Sequence, residues 1–198
     1  FKTTHDQNLM RIDQTQDLHF DNCHWLGAYV NQTGQTNGYA LIELFGTVAN
    51  VTKRIQFAGC TFEGLEYAVE SSDNIEDIVF SSCEFLKLYR AFNLGEQSDG
   101  STLNKTIGPT GVVITASRFD GIDAEAVKLY DNGGHPRGNI VSGCSFRDVG
   151  KNSDDSAELP EISFLHGNNR SDNNFFHRTD VRSNFEGTVY SESPPRVP

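Results

Sequence analysis

Acidic residues that could take part in acid–base chemistry occur at two places in this 198-residue chain. Glycoside hydrolysis uses two carboxyl groups roughly 5 to 9.5 Å apart, one protonated and one ionised. Glu43 and Glu70 would lie near the short end of that range if they held equivalent positions in neighbouring repeats. Asp120 with Asp123 or Glu125 is the second possible pair. Carboxylates that merely face solvent would satisfy the same spacing, so solvation is the alternative interpretation.

Polar segments rich in amide, hydroxyl and aromatic side chains are the second candidate for chemistry. They occupy residues 26–38, 95–110 and 130–138, and a more acidic one occupies residues 147–160. Sugar hydroxyl groups need paired hydrogen-bond donors and acceptors, which such side chains supply. Solvated loops have the same composition, so water is the alternative partner. The candidate sugar-binding residues are Tyr29, Asn31, Tyr130, His135 and Arg137.

The elements that must position these residues repeat along the chain. A six-residue pattern recurs: an apolar residue, two small or polar residues, then Cys, Ser or Thr, a variable residue and a large apolar residue. The six copies begin at Phe20, Phe57, Phe80, Ile114, Val141 and Phe176. Successive copies are 23 to 37 residues apart, a period typical of solenoid proteins.

Two further stretches of alternating polarity accompany each copy and are typical of strands with one buried face. The shortest repeat has 23 residues, which accommodates three short strands and leaves no room for a helix of ordinary length. One strand of each repeat should present a polar residue outward. The expected outward row is Glu43, Glu70, Asn93, Lys128, Ser163 and Tyr190.

The repeated pattern predicts two inward rows of stacked side chains. The row of small side chains is Cys23, Cys60, Cys83, Ser117, Cys144 and Thr179. The row of large ones is Trp25, Phe62, Phe85, Phe119, Phe146 and Val181. Because Ser and Thr replace Cys in two repeats, we expect free thiols that pack in the core, with a Cys60–Cys83 bridge as the alternative. No Cys-x-x-Cys spacing indicates zinc.

On these repeats, the chain resembles the right-handed parallel β-helix proteins of the pectate-lyase-like superfamily, and most of all the β-helix segments of bacteriophage tailspikes and tail fibres. The resemblance predicts an all-β, single-stranded parallel β-helix of about six coils with three short strands each. It covers residues 17–191, with an N-terminal lead-in at 1–16 and a C-terminal linker or tail at 192–198. The fold hosts many activities, so it does not fix the function.

The resemblance also implies a lyase alternative. Lyases of this fold use a basic residue to abstract a proton, often with calcium neutralising a uronate. Lys128, or Arg118 beside Asp120 and Asp123, could serve in that way. No cofactor is otherwise expected.

Charge and hydropathy exclude several partners. The formal net charge is −11, which disfavours nucleic acid and anionic membranes. No apolar run approaches membrane-spanning length, so membrane insertion is not expected. An acidic polymer would need a local basic groove or a bridging cation.

Three functions remain open from the sequence. The first is a virion protein of the tailspike kind that binds a host surface polysaccharide, with or without cleaving it, as a homotrimer or with other virion subunits. The second is an extracellular polysaccharide lyase or glycoside hydrolase. The third is a purely structural virion β-helix. The expected location is accordingly the phage tail or the extracellular space.

Overall fold

A computed structural model of the chain describes residues 8–27, 39–47, 49–71, 74–95, 109–129, 137–150, 162–164 and 169–177. These residues form eighteen short strands arranged in three sheets of six. Each repeat contributes one strand to the first sheet, the next to the second and the next to the third. All the pairings between named strands are parallel, and no helix occurs in the described residues. The prediction of an all-β solenoid with three strands per repeat is therefore confirmed.

The strands of the three sheets alternate along the chain. The first sheet contains β1 (Met10–Asp13), β4 (Ala40–Phe45), β7 (Tyr67–Ser71), β10 (Arg90–Leu94), β13 (Val127–Leu129) and β16 (Ile162–Phe164). The second contains β2 (Gln16–Asp21), β5 (Thr52–Ala58), β8 (Ile75–Ser81), β11 (Val113–Thr115), β14 (Ile140–Ser142) and β17 (Arg170–Asp172). The third contains β3 (His24–Leu26), β6 (Thr61–Glu63), β9 (Glu84–Leu88), β12 (Arg118–Ile122), β15 (Ser145–Val149) and β18 (Phe175–Phe176). Strand β1 lies within the segment predicted as a lead-in and pairs with β4.

The predicted row of large inward side chains forms a continuous aromatic stack. Neighbouring rings along Trp25, Phe62, Phe85, Phe119 and Phe146 are 4.6 to 5.0 Å apart between centroids and nearly parallel. All five are buried. A second stack, Phe20, Phe57 and Phe80, contacts the first edge-to-face. Buried aromatic rings contribute both apolar area and ring–ring attraction, so these stacks stabilise the solenoid.

The cysteines in the row of small inward side chains, which we call the thiol row, are free, as predicted. The Cys83 Sγ donates to the carbonyl oxygens of Ser81 and of Phe57 in the preceding repeat, both at 3.4 Å. Cys60 and Cys144 donate in the same way. Ser117 donates through Oγ to Thr115 at 2.9 Å. The row therefore packs the core and also satisfies backbone carbonyls that the turn leaves available.

The prediction for the sixth copy of the pattern is wrong by five residues: the structure has this copy begin at Ser171, which pairs with Val141. Phe146 pairs with Phe176, and the two rings stack at 5.0 Å, so Phe176 holds the position predicted for Val181. Asn174 takes the place predicted for Thr179, and its Oδ1 accepts the Cys144 N–H at 2.9 Å. Thr179, Val181 and Tyr190 lie outside the described residues.

A left-handed backbone residue precedes each member of the thiol row and turns the chain from the second sheet into the third. Its φ lies between 49° and 61° in all six repeats. These residues are Asn22, Gly59, Ser82, Ala116, Gly143 and Asn173. Gly and Asn tolerate this region best, which explains the two small or polar residues of the pattern.

Close backbone approach fixes a different glycine where the chain leaves β4. A Cβ atom at Gly46 would lie 1.9 Å from the carbonyl oxygen of Asn74 in the next repeat. Only glycine fits there without moving the backbone.

No described segment forms a helix that is long and apolar enough to cross a membrane.

Candidate functional site

One row of polar residues crosses the first sheet at one residue per repeat. Backbone pairing places these residues in register: Arg11, Glu43, Glu70, Asn93, Lys128 and Ser163. We call this set the polar row. Its members from Glu43 to Ser163 are the outward row predicted from the sequence, and their register is confirmed. Neighbouring positions are about 4.8 Å apart, the spacing of hydrogen-bonded strands.

The centre of the polar row is buried although it is charged. Asn93 is fully buried, and Glu70 is 9% exposed. Beside them, the Arg90 guanidinium donates from Nη2 to Glu125 Oε2 at 2.7 Å and from Nε to the same oxygen at 3.2 Å. Its Nη1 donates to Asn93 Oδ1 at 2.8 Å. Arg90, Asn93 and Glu125 thus form one hydrogen-bonded unit, which we call the buried charge cluster.

Two tyrosine rings adjoin the cluster. The Arg90 guanidinium carbon lies 5.4 Å from the Tyr89 ring centroid and 5.9 Å from that of Tyr67. Tyr67 is buried, whereas Tyr89 is partly exposed. The rings limit solvent access to the guanidinium and add a cation–π attraction. Tyr89 is therefore a partly exposed aromatic residue beside a fixed positive charge.

Lys128 joins the polar row to the cluster. Its Nζ lies 3.2 Å from Glu125 Oε1, so both oxygens of this carboxylate face a cation. Burial raises the pKa of a carboxyl group, but the charges of Arg90 and Lys128 outweigh burial and leave the pKa of Glu125 below its ordinary value. Glu125 is thus ionised at neutral pH and can accept hydrogen bonds, but it cannot act as a general acid there.

The other end of the row is more open. Glu43 is 22% exposed at its side chain and accepts a hydrogen bond from Asn8 Nδ2 at 2.9 Å. The Arg11 guanidinium lies 3.5 Å from Glu43 Oε1 and 4.3 Å above the Phe45 ring centroid. Arg11, which is 48% exposed, Glu43 and Lys128, which is also 22% exposed, are therefore charged groups of the row that are both held in place and accessible.

The second predicted pair of carboxylates lies elsewhere. Asp120 belongs to β12 in the third sheet, where it pairs with Arg118 at 2.5 Å and approaches Arg147 at 4.0 Å. Asp123 follows β12, and its backbone N–H donates to the Leu88 carbonyl at 3.0 Å. The structure thus places Glu43, Glu70 and Lys128 in one row but Asp120 on a different sheet. Glu125, the alternative partner predicted for Asp120, instead contacts Arg90 and Lys128 in the buried charge cluster.

The predicted sugar-binding residues fall mostly on segments that the structure does not describe. Tyr29, Asn31, Tyr130 and His135 lie outside the described residues. Arg137 is described: it is exposed and forms an isolated parallel bridge with Thr110. These assignments remain predictions.

Within the described residues, no group of three or more His, Cys, Asp and Glu side chains is arranged to hold a metal ion. The chain matches no family model. No curated protein and no solved structure is significantly similar to it. The function is therefore inferred from the geometry of the polar row.

Sequence reasoning did not select Arg90 or Tyr89, and it paired Glu125 with Asp120 and not with the polar row. The register of the two strands could have indicated this cluster. Phe92 pairs with Val127, 35 residues later, and the same offset brings Arg90 opposite Glu125. Each lies three residues before a member of the row. A cation and an anion at matched positions of adjacent repeats predict an ion pair, and this rule would have found the cluster.

Proposed function

We propose that this chain forms a right-handed parallel β-helix of the pectate-lyase-like type and serves as a phage tailspike-like or tail-fibre-like virion protein that binds a host surface polysaccharide along the polar row. A solenoid with parallel strands supports this proposal because it is a stiff body whose side chains repeat along its axis. A polymer with repeating hydroxyl groups is a matching ligand for such a surface.

The observation that carries the proposal is the buried charge cluster. Removing Arg90 and Glu125 from water has a large desolvation cost, and well-packed apolar residues of similar volume are often equally or more stabilising. The aromatic stacks already stabilise the solenoid. Stability alone therefore does not explain why the charges are there, whereas positioning Lys128 and the Tyr89 ring for a ligand does.

Sugar recognition by this surface would divide among three kinds of group. The Glu43 carboxylate would accept hydrogen bonds from sugar hydroxyls, and the Lys128 ammonium would donate to them. The exposed side of the Tyr89 ring would pack against the apolar face of a sugar ring. The cluster below would hold Lys128 and Tyr89 in place, which lowers the entropy lost on binding.

The test uses matched variants on and off the row. Lys128→Ala and Glu43→Gln should each weaken binding to a panel of purified bacterial surface polysaccharides by about tenfold or more, the loss expected when a positioned charged hydrogen bond is removed. The controls are Lys87→Ala and Glu84→Gln, which change the same residue types on the third sheet. Equal loss in row and control variants would contradict the assignment of the site.

A glycoside hydrolase is the second candidate, favoured by one observation. Glu43 and Glu70 are direct partners on adjacent strands of the row. Adjacent strands lie about 4.8 Å apart, close to the roughly 5 to 5.5 Å between the carboxyl groups of a retaining glycosidase. Reducing-sugar release that disappears in Glu43→Gln and in Glu70→Gln would establish it. A calcium-dependent release of unsaturated sugar would favour the lyase instead, with Lys128 as its base.

Assembly is part of the proposal. Virion spikes and fibres of this kind are expected to be homotrimers, so sedimentation equilibrium should give three times the 22.0 kDa chain mass. A stable trimer that binds no polysaccharide would favour the purely structural virion β-helix.

A further inference from the structure

The charges on the polar row and in the buried charge cluster balance each other. Together the row and the cluster contain three cations and three carboxylates: Arg11, Arg90, Lys128, Glu43, Glu70 and Glu125. Each cation lies within ion-pair distance of a carboxylate. Arg11 is 3.5 Å from Glu43, Arg90 is 2.7 Å from Glu125, and Lys128 is 3.2 Å from Glu125. The face is not a basic groove.

The geometry of Arg90 strengthens this point. Recognition of a sugar carboxylate or sulfate by arginine uses two parallel N–H groups of its fork. In the buried charge cluster, Nε and Nη2 both donate to Glu125 and Nη1 donates to Asn93. All three nitrogens are thus committed to protein acceptors. An anionic ligand could use both N–H groups of the Nε–Nη2 edge only by breaking a desolvated ion pair, which is strongly unfavourable.

The field of the whole chain acts in the same direction. The formal charge of −11 repels a polyanion at long range and lowers its local concentration at the surface. A neutral polysaccharide meets no such repulsion. Its hydroxyl and acetamido groups can donate to Glu43 and accept from Lys128 without separating any ion pair.

From this charge balance, we infer that the polar row selects an uncharged polysaccharide and rejects polymers that carry carboxylate or sulfate groups. The inference rests on the proposed function, because it names the class of ligand that the same site would take. It also distinguishes the site from that of a lyase acting on uronates, which must accommodate an acidic group at the reacting sugar.

The experiment compares one polymer with and without charge. The polysaccharide panel is first screened for neutral and acidic binders. A neutral binder is then oxidised at its primary hydroxyls to give the carboxylated form of the same backbone. Affinity should fall by about tenfold or more on oxidation, because a carboxylate placed beside Glu43 is repelled. Affinity for the neutral form should change less than about twofold between 50 and 300 mM salt.

A charge variant sharpens the result. Glu43→Gln removes one carboxylate from the row, so the ratio of affinities for the carboxylated and neutral forms should rise. Glu84→Gln, on the third sheet, should leave the ratio unchanged. Binding confined to acidic polymers, or an oxidised form that binds as well as the neutral one, would overturn the inference but not the proposed function. Binding to no polysaccharide would instead remove the proposed function itself.

Discussion

The inner aromatic stack and the polar row are built by the same device, one residue per repeat placed in register by parallel strands. Phe62, Phe85 and Phe119 are fully buried on the inside of the third sheet. Arg90 and Glu125, beside the polar row of the first sheet, are nearly as buried. The two regions thus share geometry and burial, but they differ in what burial does to the free energy of folding.

Burial of the stack is favourable, because each ring removes apolar surface from water and contacts rings above and below. Burial of the charge cluster is unfavourable until the ion pair and its hydrogen bonds compensate for lost hydration. Register alone therefore does not stabilise a solenoid. The aromatic stack stabilises the packing of the repeats, and this stabilisation offsets the cost of burying the charge cluster.

The largest effect is expected from breaking the stack. Phe85→Ala should lower the free energy of unfolding by about 3 to 5 kcal/mol, because it leaves a cavity between Phe62 and Phe119 that the strands cannot close. Urea unfolding followed by circular dichroism measures this change. The matched control is Phe175→Ala on the same sheet, where the ring is 66% exposed and little should change. A similar loss in both variants would show that the rings are not differentially buried.

The stack is also the part that the sequence predicts best. Five of its members were identified because a large apolar residue recurs two positions after Cys or Ser, and alternation fixes the face. The sixth was misplaced because Phe175 and Phe176 are adjacent and either could start or end a copy. Asn173 marks the correct register of the sixth copy. Its backbone is left-handed, as is that of Asn22 and Gly59 at the same position of other repeats.

The charge cluster was less predictable for a physical reason. Alternation indicates which side chains point outward, and an outward charged residue is expected to be solvated. Glu70, Arg90 and Glu125 are nonetheless buried. Their burial depends on contacts with neighbouring repeats, such as that of Arg90 with the Tyr67 ring, and a two-residue period carries no information on such contacts.

The second prediction separates stability from function in the cluster. Glu125→Gln should destabilise the protein by about 3 kcal/mol, because it leaves the Arg90 guanidinium buried without its countercharge. Replacing both partners, by Arg90→Met with Glu125→Leu, should restore most of that stability while polysaccharide binding stays lost. Urea unfolding and binding are measured on the same preparations. Retained binding in the double variant would show that the cluster does not position the site.

The ionisation of Glu125 gives this prediction a pH signature. Because its pKa in the folded protein lies below the ordinary value of 4.5, its contribution to stability is present above that pH and is lost as pH falls below it. The stability advantage of the native protein over Glu125→Gln should therefore shrink below pH 4.5. A difference that stays constant down to pH 3 would contradict the charge-based explanation.

The smallest effect is expected in the thiol row, where chemistry changes but shape does not. Cys83→Ser should alter the free energy of unfolding by no more than about 1 kcal/mol, because Ser117 already occupies the equivalent position and donates to a carbonyl in the same way. Cys83→Ala keeps the small size but loses the donor, so it should be the more destabilising of the two. The reverse order would mean that packing, not hydrogen bonding, governs this row.

Alkaline titration sharpens the same contrast. Burial raises the pKa of the Cys83 thiol from 9.0 to about 11, so the folded protein favours the protonated form. The corresponding stabilisation is present below pH 9 and is lost as pH rises from 9 through 11. Because a serine hydroxyl does not titrate in this range, Cys83→Ser should lose less stability than the native protein between pH 9 and 11. Equal losses would show that burial does not keep the Cys83 thiol protonated over this pH range.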